Sequence, residues 1–185
     1  MKFKNLPNAL TVLRVLMIPV FVVVLMRGPG APLAALIFAV ASLTDALDGY
    51  VARKYDLVSN FGKLMDPLAD KLLVVSAFAC FVELGMIPAW ILIVILAREF
   101  AVTGLRSVAA GAGVIIAAGF SGKLKTVFQM LAVLALLLMD LPLSVFNLYY
   151  PHFGRPFAMV VLFAAVILTI YSGAEYIVKS RRLFL

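Results

Sequence analysis

The run LAALIFAVASLTDALDGYVAR, residues 33–53, decides how this chain is to be read. It is uninterrupted hydrocarbon from Leu33 to Val40. Its length matches the roughly 20 helical residues that cross a bilayer core about 30 Å thick. Yet its far end carries Asp45 and Asp48, three residues apart, and a helix puts such a pair on one face. An apolar helix with paired acids at one end needs lipid or packing along its length and something cationic or aqueous at that end.

Outward from this run the apolar pattern recurs. Stretches extend approximately from Asn8 to Met26, Leu33 to Arg53, Pro67 to Glu83, Pro88 to Ala110, Lys125 to Met139 and Arg155 to Val178. The fifth is short, and either tilts or begins earlier. RGPGAP, ELGMIP, MDLPLS and YYPHFGRP punctuate the connections with turn formers. With 65% hydrophobic and 14% charged residues, the chain is read as a membrane protein rather than a soluble globule. The expected fold is an all-α, six-transmembrane-helix bundle forming one integral membrane domain over residues 1–185, without internal repeats.

Basic residues give this bundle an orientation. Lys2, Lys4, Arg53, Lys54, Lys63, Lys123, Lys125, Lys179, Arg181 and Arg182 fall on the side shared by both termini, against Arg27 and Arg155 opposite. The positive-inside rule makes the first side cytoplasmic. A net charge of +7 concentrated at helix ends suits anionic lipid headgroups and argues against nucleic acid as a partner. Lys2 and Lys4 before an apolar run resemble a secretory signal. That run contains Arg14, however, and leads to MRGPGAP rather than a small-residue cleavage site, so the first span is expected to stay. Cys80, the one cysteine, lies mid-span and reads as a packing residue. His152 reads as solvated, Trp90, Tyr149 and Tyr150 as interfacial anchors, the methionines as packing, and Glu83 and Asp140 as outer helix ends.

A second acidic pair, Asp66 and Asp70, is spaced four apart at the start of the third span, with Pro67 placing Asp66 at the helix entrance. Two spans joined by a short connection are antiparallel neighbours, so the two pairs converge. Clustered carboxylates repel one another and carry a desolvation cost, and a positive group between them relieves both. Lys or Arg could serve, but an all-oxygen set suits hard divalent cations such as Mg²⁺ or Mn²⁺. Two such ions about 4 Å apart clamp phosphoryl groups. Small residues at Gly49, Ala52 and Gly62 permit close approach, and Arg53 is a forked donor for phosphate oxygens.

Written as a pattern, D-x2-D-G-x2-A-R-x8-G-x3-D-x3-D is filled by Asp45, Asp48, Gly49, Ala52, Arg53, Gly62, Asp66 and Asp70. This resembles the signature of the CDP-alcohol phosphotransferases, membrane enzymes of phospholipid synthesis. The resemblance extends along the chain through NLPNALTVLRV, AREFAVTGLR, GKLKT and SGAEYI. It implies that Asp45, Asp48, Asp66 and Asp70 bind two ions, Mg²⁺ or Mn²⁺, holding the diphosphate of CDP-diacylglycerol, with Asp70 also the general base. It implies nucleotide contacts from Gly49, Arg53 and Ser59, with Ala52 and Gly62 also in the CDP-lipid-binding site, a homodimer, and a place in the bacterial cytoplasmic membrane with the site facing the cytoplasm. Asn8 and Thr11, one helical step apart with Arg14, add a polar stripe for the cytidine end, although an N-cap and a back-bonded threonine account for them equally.

Family membership alone leaves the acceptor open among glycerol phosphate, inositol phosphate, serine and a second lipid. Arg98 and Arg106 share a broad helix face, and Lys123 and Lys125 stand at the start of the fifth span. Fixed cations of this kind suit an acceptor with its own phosphate, and the close resemblance of these stretches to members of that family implies sn-glycerol 3-phosphate. Arg98 could instead pair with Glu99 or Glu175, and lysines two apart point to opposite sides of a helix. A divalent-cation transporter is the reading from another class. The acids at a helix end, the lack of broken helices or repeats, and the absence of a role for Gly49 and Arg53 count against it.

Overall fold

The structure is a computed structural model. It describes residues 6–28, 32–54, 60–113, 119–139 and 154–180, with side chains from residue 12 onward other than 45–54, 60–68, 70 and 154. These residues form six helices: α1 (Leu6–Met26), α2 (Pro32–Lys54), α3 (Asn60–Glu83), α4 (Ala89–Gly111), α5 (Phe120–Leu138) and α6 (Gly154–Ser180). No strand occurs among them. α1 packs on α2 and α3, α5 lies most extensively along α6, and α4 leans on α6 and α3.

Apolar residues line both the inside and the outside of the bundle. Phe21 and Phe38 join α1 to α2 with ring centroids 5.8 Å apart, and Phe78 meets Phe81 edge-on at 6.3 Å. Ile91, Ile95, Leu136, Leu137 and Leu162 complete the buried interior, while Leu36, Ile93, Val160 and Ile167 face outward. Helices apolar all round belong in lipid or a large core. α5 and residues 155–180 of α6 are long and apolar enough to cross a membrane. Lipid is as apolar as leucine, so helix association there rests on close packing, which buried Ala34, Ala41, Ala77, Ala132, Ala158 and Ala165 permit.

Local chemistry sets the helix ends. α3 stops in a Schellman turn: the Met86 N–H donates to Phe81 O at 2.9 Å and the Gly85 N–H to Val82 O at 3.0 Å. Gly85 takes φ +65°, where a side chain would be strained. Pro88 then opens α4 in extended conformation. ELGMIP is thus a tight reversal that makes α3 and α4 antiparallel neighbours.

Two boundaries differ from the sequence reading. α3 begins at Asn60 rather than Pro67, so Pro67 lies inside the helix and Asp66 is not at its entrance. An interior proline forfeits one backbone bond. The good helix formers Lys63, Leu64 and Met65 nevertheless carry α3 through it. α5 begins at Phe120, five residues before Lys125, which settles the short fifth span in favour of an earlier start.

Candidate active site

Asp45, Asp48, Gly49, Ala52 and Arg53 sit in the last turns of α2, and Gly62, Asp66 and Asp70 in the first turns of α3. Only residues 55–59 separate the two helices, so both acidic pairs lie at one end of the bundle. α1 touches both helices, and its first turns carry Asn8 and Thr11. The side chains of these residues, and Ser59 altogether, lie outside the described residues. The backbone thus sets two acidic pairs, spaced three and four, on adjoining helix ends. As a donor set, four carboxylates on neighbouring helices fit hard divalent cations.

One step past Asp70, α3 turns Lys71 into a cavity of about 430 Å³ between α3, α4 and α5. Arg98, Glu99, Thr103 and Arg106 of α4 line it with Lys123, Lys125 and Gln129 of α5, above an apolar floor of Val74, Ile95 and Val102. All four cations read from the sequence as acceptor ligands therefore border one space. Lys125 is buried at 4% exposure, while Lys123 stands exposed at the rim. The two lysines do diverge, yet both border the cavity.

The arginines are held by α6, whose Thr169, Ser172, Gly173 and Tyr176 follow the three-and-four spacing of one helix face. Arg98 donates from Nε to Ser172 Oγ at 3.2 Å. Arg106 donates from Nε to the Tyr176 hydroxyl at 2.9 Å, with its guanidinium carbon 5.4 Å from that ring's centroid. Gln129 donates to Thr169 Oγ1 at 3.0 Å and accepts from Lys125 Nζ at 3.1 Å. Arg98 pairs with Glu99, not with Glu175, which accepts from Ser121 and Lys179.

Glu99 and Lys71 were both left out of the site by sequence reasoning. Glu99, 9% exposed, takes Lys125 and Arg98 (3.1 Å) on Oε1 and Lys71 (3.5 Å) on Oε2. Lys71 also donates to Thr103 Oγ1 at 2.9 Å. One signal was available: Glu99 is the lone acidic residue between Glu83 and Asp140, set within an apolar run, and such residues are functional candidates by default. Nothing in its spacing points to Lys71 or Lys125, which come from other helices.

Comparison with known proteins places the sequence among relatives. Residues 4–171 match the family model described as CDP-alcohol phosphatidyltransferase. A Bacillus subtilis protein named CDP-diacylglycerol--glycerol-3-phosphate 3-phosphatidyltransferase is 46% identical over 190 residues, covering 95% of each chain. Proteins of the same name from Rickettsia typhi and Haemophilus influenzae are each 38% identical. The first match covers 98% of this chain and 99% of the relative, the second 96% and 93%.

Proposed function

The chain belongs to the CDP-alcohol phosphatidyltransferase family, and from that premise we propose that it transfers the phosphatidyl group of CDP-diacylglycerol to sn-glycerol 3-phosphate, releasing CMP. It is a transferase of phospholipid synthesis, and its relatives' names carry both substrates. The observation that carries the acceptor is the cavity beginning beside Asp70. Its volume of about 430 Å³ falls in the range of small-molecule sites, about 300–1,000 Å³. Its fixed cations suit an acceptor that brings a phosphate. Serine would leave them unanswered.

Asp45, Asp48, Asp66 and Asp70 would hold two divalent ions, Mg²⁺ or Mn²⁺. Bound there, such ions neutralise the diphosphate and the charge that develops on departing CMP. Gly49, Arg53 and Ser59, with Asn8 and Thr11 at the start of α1, hold the nucleotide, and Ala52 and Gly62 let it come close. Arg98, Arg106, Lys123 and Lys125 hold the acceptor's phosphate, so that a hydroxyl faces the diphosphate. Asp70 takes that hydroxyl's proton. The hydroxyl oxygen bonds to the lipid-side phosphorus as the bond to CMP breaks.

The same reading extends to the whole protein: six spans, both termini and the site on the cytoplasmic side, and a homodimer in the bacterial inner membrane. Inositol phosphate or a lipid acceptor is the alternative within the family. The test is CMP release by purified protein supplied with CDP-diacylglycerol, Mg²⁺ or Mn²⁺, and one acceptor at a time. Glycerol 3-phosphate should support turnover that a chelator abolishes, and Asp70→Asn should lower kcat about 10²–10⁴-fold, the usual worth of a general base. Turnover with inositol phosphate or phosphatidylglycerol alone would overturn the acceptor.

A further inference from the structure

Among the described residues, five cations border the acceptor cavity and one carboxylate, that of Glu99, stands among them. Glu99 is approached by Lys71 from α3, Arg98 from its own helix and Lys125 from α5. Each of these partners also makes a further hydrogen bond, Lys71 to Thr103, Arg98 to Ser172 and Lys125 to Gln129. The arms differ in weight. Lys71 is 42% exposed over its side chain, so its pairing is screened and weak, whereas Lys125 and Arg98 meet Glu99 out of water.

We propose that Glu99 is the positioning residue of the acceptor site: its carboxylate holds Lys71, Arg98 and Lys125 in the array that receives the acceptor's phosphate. This rests on the reading of the cavity as the acceptor site. Three cations brought together from three helices repel one another, and without an anion they spread to separate rotamers or to solvent. Glu99 supplies that anion before substrate arrives, so the incoming phosphate meets an assembled array and bears little of the cost of ordering it.

Steady-state kinetics of Glu99→Gln, with each substrate varied in turn, separate positioning from a merely structural tie. The expected result is a KM for glycerol 3-phosphate raised about tenfold or more, as for loss of a buried charge partner. The KM for CDP-diacylglycerol should stay within about twofold, and the inhibition constant of inorganic phosphate should rise with the acceptor KM. An acceptor KM unchanged or lowered, or both KM values rising together, would overturn the proposal. Glu99→Gln strands buried Lys125, and where that variant fails to fold, Glu99→Gln with Lys125→Met removes both members of the pair. Its acceptor KM should exceed that of Lys125→Met alone, because Arg98 and Lys71 still lose their anion, while the CDP-diacylglycerol KM stays within about twofold; an acceptor KM equal to that of Lys125→Met, or both KM values rising together, would overturn the proposal. A wild type that turns over another acceptor but not glycerol 3-phosphate overturns the acceptor assignment itself, an outcome visible before any variant is made.

Discussion

Arg98 reaches the cavity across two residues that lack side chains. A Cβ added at Gly173 would stand 3.0 Å from Arg98 Cγ, and one at Gly122 would stand 3.4 Å from its terminal nitrogen. The arginine's stem thus lies in a saddle made by α6 while its head passes α5. Gly173→Ala should push the stem aside, loosen the bond to Ser172 and raise the acceptor KM about three- to tenfold, with the CDP-diacylglycerol KM held. Kinetics on the purified variant check this, and an unchanged acceptor KM would mean that Arg98 does not serve the acceptor. At this scale the sequence shows what is locally spaced. Asp45 with Asp48 and Asp66 with Asp70 are legible because one helix turn makes each pair. The saddle under Arg98 is not legible, since Gly173 lies on another helix and no spacing rule connects the two.

Helices inherit their existence from apolar length and their ends from finer chemistry. That is why the six apolar stretches appear as helices while two starts moved. The start of α5 matters most: with the helix beginning at Phe120, Lys125 sits beyond its first turn, deep enough to reach Glu99. α5 is tied to α6 by Gln129, which accepts from Lys125 and donates to Thr169. Gln129→Leu keeps the volume and strands neither partner, because Lys125 retains Glu99 and Thr169 still donates to Ala165 O at 2.6 Å. The loss should therefore be about 1 kcal/mol, the net worth of such bonds. For a chain of this size that is a drop in Tm of about 2–4 °C. Thermal unfolding in detergent measures it, and a much larger drop would mean that Gln129 anchors the whole cation array.

For the molecule as a whole, the charge asymmetry and the helix order divide the bundle into the same two ends. The helices alternate, so the start of α1, the end of α2, the start of α3, the end of α4, the start of α5 and the end of α6 share one end. Lys54, Lys123 and Lys179 fall at that end, Arg27 and Arg155 at the other. The aspartates fall with the lysines. If the positive-inside rule governs this chain, the acidic end opens to the cytoplasm, on the side where a soluble phosphorylated acceptor is made. Single cysteines report the orientation directly in a Cys80→Ala background. That change is mild because it removes one small buried atom, at a cost of about 1 kcal/mol. A membrane-impermeant maleimide applied to intact cells should label Arg27→Cys and should reach Lys2→Cys only after the membrane is opened. The reverse pattern would put the aspartates outside, away from any cytoplasmic acceptor, and the proposed reaction would then lose its substrate whatever the geometry of the cavity.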